Sequence, residues 1–152
     1  MIPAHATLEI SVRALDPEAR TLLESKVKAI IYGQAESYGL TAEIEWRQGY
    51  AVLVNDSAAT DFAIATAQAM APASGVNPSG PMLMGSEDFA FMLQQVPGCY
   101  LLIGNGAGDG NGACMVHNPN YDFNDEILAV GADFWTTLAL AFFSKSPQKH
   151  IT

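Results

Sequence analysis

From Thr7 to Leu15 the side chains alternate. Leu8, Ile10, Val12 and Ala14 fall on one face; Thr7, Glu9, Ser11 and Arg13 fall on the other. A period of two predicts a strand with one apolar face. The period then changes. Asp16 and Pro17 suit the N-cap and first position of a helix, and Glu18 suits its positive end. Leu23, Val27, Ile30, Ile31 and Gln34 form the helical stripe, with Lys26 and Lys28 outside it. Gly39 is the natural stop after Tyr38. Ala42, Ile44 and Trp46 alternate with Glu43, Glu45 and Arg47 in a second strand. Residues 6–48 therefore read as strand–helix–strand, a parallel crossover unit. Two strands and a helix are too little to stand alone. No later segment reads as a third member of that sheet, so the pattern implies a missing partner strand.

Asn55-Asp56-Ser57 marks a boundary, followed by an Ala-rich helix from Ser57 to Met70. Residues 72–81 are a loop by their Pro, Gly, Ser and Asn content. Met82-Leu83-Met84 predicts a short buried strand. It turns at Gly85-Ser86 into a helix that begins Glu87-Asp88-Phe89 and ends before Pro97. Cys99 to Ile103 predicts another short strand, and Gly104 to Gly112 a glycine-rich loop. A turn-rich segment from His117 to Asp125 then leads into a long apolar helix, Ile127 to Phe143, with Asn124 or Asp125 as N-cap. Residues 57–144 thus alternate helix and strand, as a layer of an α/β protein does.

Composition narrows the function classes. An apolar fraction of 49% with 15% charged residues is that of a folded globular chain. A net charge of −9, with only 7 unclustered basic residues, argues against a nucleic-acid partner. No apolar run reaches membrane-spanning length and the N-terminus lacks a signal-peptide pattern, so no membrane partner is expected. Two cysteines, Cys99 and Cys114, are too few for a disulfide framework and fit a reducing, cytoplasmic setting.

Four places carry candidate chemistry. His117 stands with three carboxamides and two carboxylates in the stretch that ends at Asp125. A histidine in a stiff loop before a helix can turn a ring nitrogen toward a metal, but one histidine is not a site, and a plain surface loop explains it as well. At Gly85-Ser86-Glu87-Asp88 the free N–H groups of a strand-to-helix turn could hold a carboxylate or phosphate. Simple capping by Ser86 is the plainer account, since the two acids oppose an anion. Arg13 is either an ion-paired sheet residue or a planar fork for a substrate carboxylate. The run Gly104-Asn105-Gly106-Ala107-Gly108-Asp109-Gly110 is not a nucleotide loop, because no helix opens after it, and its single Asp109 makes a poor calcium loop. It reads as a mobile surface loop. The residues alone offer no complete catalytic centre.

Several segments taken in order are more specific than any one. Ile2-Pro3 ahead of a strand with Val12-Arg13, Gly49-Tyr50, Val54-Asn55-Asp56, Gly85-Ser86-Glu87-Asp88-Phe89, Pro97-Gly98, Ile103-Gly104, His117-Asn118-Pro119 and Tyr121-Asp122-Phe123-Asn124-Asp125 form one series. The series resembles the amidohydrolase branch of the metal-dependent aminoacylase, carboxypeptidase and hippurate hydrolase superfamily. That resemblance implies an α/β catalytic domain interrupted by an α+β lid, or dimerisation, domain. Residues 1–55 then correspond to the second half of the lid and residues 56–152 to the C-terminal part of the catalytic domain. It implies that His117 is a metal ligand, that Arg13 grips a substrate carboxylate, and that Gly85 and Ser86 line the substrate pocket. It implies a divalent metal cofactor (zinc, manganese or nickel) and an N-acyl amino acid as substrate. Half a lid leaves strand edges unpaired, which predicts a homo-oligomer formed through the lid half. The Cys–Gly–His–Asp stretch, the Glu–Glu pair with its general base, and the further histidine of that superfamily are absent from this sequence. The chain therefore looks like a family member cut at an internal start, expected to be inactive alone.

Overall fold

The computed structural model describes residues 3–72, 75–106 and 114–145. Its helices are α1 (Pro17–Ser37), α2 (Ser57–Met70), α3 (Phe89–Leu93) and α4 (Glu126–Lys145). The described residues divide into two compact units, one within Met1–Val54 and Pro81–Gln95, the other within Asn55–Gly80 and Val96–Thr152. Residues 81–95 group with the first of these units.

In the first unit α1 forms where local signals direct it. The Asp16 carboxylate accepts from the Ala19 N–H at 2.7 Å, and Pro17 costs no hydrogen bond at its position. At the other end Gly39 takes φ +67°, a left-handed conformation that a Cβ would strain. Its N–H bonds the Glu36 carbonyl at 3.0 Å and that of Leu40 bonds Ala35 at 2.8 Å, closing the last carbonyls of the helix. Leu23, Val27 and Ile31 lie half-buried along one stripe, as their spacing predicts, while Ile30 and Gln34 are exposed. Lys28 corrects the sequence reading: it lies in the stripe. The residue is half-buried, its ammonium pairs with Glu24 and stands 5.6 Å from the Trp46 ring centroid, so the charge is still satisfied.

In the second unit α2 and α4 pack together. Ala63, 1% exposed, and Thr66 are buried one turn apart on α2, and Phe62 meets Phe142 edge-on at 6.2 Å between ring centroids. Asp56 caps α2, accepting from the Ala59 N–H at 2.8 Å, while its own N–H bonds the Gly98 carbonyl at 2.9 Å. Removing only the carboxylate, as Asp56→Ala, is expected to cost about 1 kcal/mol. A urea titration that shows an unchanged midpoint would contradict that role. On α4, Ile127, Gly131, Phe134, Leu138 and Ala141 form the half-buried stripe, whereas Leu128, Trp135, Leu140 and Phe143 are exposed.

That helix corrects the expectation about span length. Glu126–Ser144, 19 residues, is long and apolar enough to cross a membrane by length and composition. Its acids, Glu126 and Asp133, break the apolar run in the sequence but leave the helix apolar on most sides. Within the second unit one face of α4 packs against α2.

The α/β expectation is not met in its β part. Among the described residues no strand ladder forms over 7–15, 42–47, 82–84 or 99–103. The physical reason is that a period of two fixes which face is apolar but does not supply the neighbour whose N–H and C=O complete a ladder. The alternation itself survives: Val12, Ala14, Ala42, Ile44 and Trp46 are half-buried, with exposed residues between them. Near residue 100 a side chain stands in for a strand. The Asn55 amide donates to the Tyr100 carbonyl at 3.0 Å and accepts from the Tyr100 N–H at 2.8 Å. The buried-strand reading of Met82-Leu83-Met84 is corrected outright, since all three are exposed, Met82 to 78%. The helix expected from Glu87 is also shorter. Backbone bonds from Ala90 to Glu87 and from Phe91 to Asp88 tighten its start, and neither Ser86 nor Asp88 caps it with a side chain.

Candidate functional site

Within the first unit, residues 10–15, 46–47, 49–53 and 83–86, with Arg20, line a cavity of about 350 Å³. Arg13, Gly85 and Ser86, singled out separately in the sequence, are all in its lining. Arg13 donates one guanidinium N–H to the Met84 carbonyl, tying its segment to the one that holds Gly85 and Ser86. A guanidinium carries five N–H donors, so this bond leaves others for a ligand. A Cβ built on Gly85 meets nothing within 4 Å, so packing does not demand glycine there.

Arg20, which sequence reasoning did not single out, and Tyr50 of the Gly49-Tyr50 pair shape the same cavity. Arg20 donates to the Tyr50 carbonyl at 2.7 Å and to the Gly49 carbonyl at 3.1 Å, fixing the 49–50 wall against α1. Its signal was a cation three positions ahead of Leu23 on the half-buried stripe of α1. Tyr50 in turn rests against Phe91 at 5.9 Å between ring centroids. Arg47 is paired with Glu45 at 2.7 Å. The lining includes Arg13, Arg20 and Arg47 and no acidic residue, in a chain whose net charge is −9. Local positive charge beside apolar Trp46, Val12 and Leu53 favours an anion that carries an apolar group.

His117 belongs to the second unit. It is exposed, and it is the one non-glycine residue with positive φ among the described residues, at +70°. That conformation costs of order 1 kcal/mol and persists only where surrounding bonds fix it. The turn closes around it: Asn118 N–H to the Met115 carbonyl at 3.1 Å, Asn120 N–H to the Asn118 side chain at 2.8 Å, Tyr121 N–H to the Asn118 carbonyl at 2.9 Å. Beyond it the Asn124 side chain accepts from the Glu126 N–H at 3.1 Å and starts α4. Among the described residues no three of His, Cys, Asp and Glu are grouped to hold a metal. His117 can offer one imidazole nitrogen; the described residues do not make up a metal centre.

Cys99 lies near the cap of α2, with its thiol 3.6 Å from the Ala59 carbonyl. Burial, and then the Asp56 carboxylate, push its pKa up, so it is a poor nucleophile. The glycine-rich run, expected to be a mobile surface loop, falls largely on residues 107–113, outside those described.

The family described as peptidase family M20/M25/M40 matches residues 4–141. The chain is 33% identical to the hippurate hydrolase of Campylobacter jejuni over 93% of its length, and 28% identical to an N-acetylcysteine deacetylase of Bacillus subtilis over 92%. It is 27% identical to thermostable carboxypeptidase 2 of Saccharolobus solfataricus over 95%. It spans only 35–36% of the length of these relatives. No solved structure matches it.

Proposed function

The chain belongs to peptidase family M20/M25/M40, and on that premise we propose that it is the substrate-gripping part of a hydrolase that cleaves the amide of N-acyl amino acids. The observation that carries this is the cavity in which Arg13, Gly85 and Ser86 come together with cationic and aromatic neighbours and no acid. Arg13 would hold the carboxylate of the amino-acid part through charge-assisted bonds. Gly85 and Ser86 would form the wall along which the acyl part lies, open because no Cβ stands at Gly85. His117 would give one ligand to the divalent metal, whether zinc, manganese or nickel, that such hydrolases use to activate water. Since the described residues assemble no further ligand group, the isolated chain is expected to be inactive. The two free cysteines suit a cytoplasmic setting.

The test is binding rather than turnover. N-benzoylglycine titrated into the chain by calorimetry is expected to saturate, and Arg13→Ala to weaken it about 10–100-fold, the worth of a hydrogen bond to a charged group. Gly85→Ala should fold as the parent does and affect only the ligand. Equal affinity in the Arg13→Ala chain, or no saturable binding to the parent, would remove the reading.

A second reading is a non-catalytic, self-associating module that uses the unpaired lid segments. What favours it is that Leu8, 82% exposed, and Ile10 lie uncovered on a segment patterned for a strand.

A further inference from the structure

We infer that Asn105 is the positioning residue of the His117 loop. Its bearing on metal binding rests on the reading of His117 as a ligand; its structural basis is separate. Asn105 is half-buried at the end of the 99–105 segment. Its side-chain amide donates to the Asp122 carbonyl at 2.8 Å and accepts from the Asn124 N–H at 2.8 Å. One carboxamide thus satisfies a donor and an acceptor two residues apart, as a neighbouring strand's peptide group would. Both bonds fall between two local devices, the turn that ends at Tyr121 and the Asn124 cap of α4.

The consequence concerns His117. A residue at φ +70° relaxes unless the chain on both sides is held. On the C-terminal side, local turn bonds reach only Tyr121, and Asn105 fixes the next residues against a segment 17–19 positions away in sequence. Donor and acceptor must both be present and planar, so a carboxamide of this length is required. Aspartate keeps the acceptor and loses the donor, and alanine loses both.

The experiment is NMR of the full 152-residue chain. In the parent, the His117 Cα and Cβ shifts should report a left-handed residue, and the Asn124 amide should exchange slowly. Asn105→Ala should move the His117 shifts to random-coil values and speed Asn124 exchange at least tenfold, while amides of α2 keep their positions. Asn105→Asp should fall between, and serves if the alanine variant loses α4. His117 shifts that stay at parent values in both variants would overturn the role. A manganese titration on the same samples separates this from the ligand reading. Selective broadening of the His117 imidazole over His5 and His150 in the parent, weakened in Asn105→Ala, is the expected result. No selectivity in the parent, together with the shift changes, would sink the ligand reading and leave the positioning role standing.

Discussion

Incubated with N-benzoylglycine and an excess of zinc or manganese salt, the chain is expected to release glycine no faster than buffer with the same salt. Hydrolases of this kind gain their acceleration from a metal held in a shaped site and from a base positioned beside the water. Enzymes exceed uncatalysed rates by roughly 10⁶-fold or more, and none of that survives when the groups are not assembled. The described residues gather no three metal-binding side chains, and His117 is exposed. The anion cavity, by contrast, needs only residues that lie within the first unit. Binding without turnover is therefore the expected pairing. Turnover above the buffer rate that disappears in His117→Ala would overturn the inactivity of the chain, because it would show that a working centre forms around this imidazole.

Helix ends were legible because their causes are local. Asp16 with Pro17, Asp56, Asn124, and Gly39 with its positive φ each act within four residues, and α1, α2 and α4 start or stop where those residues stand. The alternation at Val12 and Ala14, and at Ala42, Ile44 and Trp46, was legible for the same reason. Ladders were not, since the partner of a strand is not written in the strand. Nor was the grouping of residues 81–95 with the first unit, in which Gly85 and Ser86 share a lining with Arg13. Arg20 and Asn105 escaped notice because their bonds reach backbone carbonyls and amides 17–30 positions away, which no local pattern announces. The ordered series of motifs did identify the family, since it draws on many short matches and needs no ladder to be seen.

The second large effect is association. The chain is 49% apolar, yet among the described residues only Ala63, Ala90 and Thr66 are buried. Leu8 and Ile10 stand exposed on the first segment, and Leu140 and Phe143 on α4. Burying such surface is worth about 25 cal/mol per Å², and an interface of roughly 1,600 Å² suffices for a stable pair. Light scattering should therefore show an apparent mass that rises with concentration. Charge on an unpaired strand blocks its pairing, so Leu8→Lys with Ile10→Lys is expected to bring the mass down toward that of the single chain, 16.2 kDa. Leu140→Lys with Phe143→Lys should do less. If the α4 pair alone lowers the mass, association runs through the second unit and the lid-half assignment falls. A constant monomer mass over about a hundredfold range of concentration would contradict association altogether.

Everything turns on whether this chain brings a single metal-binding side chain or a complete centre. Zinc titrated calorimetrically into the chain at micromolar concentration tests that directly. The expected result is weak heat without a stoichiometric end point, reduced further in His117→Ala, because one imidazole does not hold zinc tightly. A sharp end point at one or two zinc ions per chain, lost in His117→Ala, would show that the centre is complete within these residues.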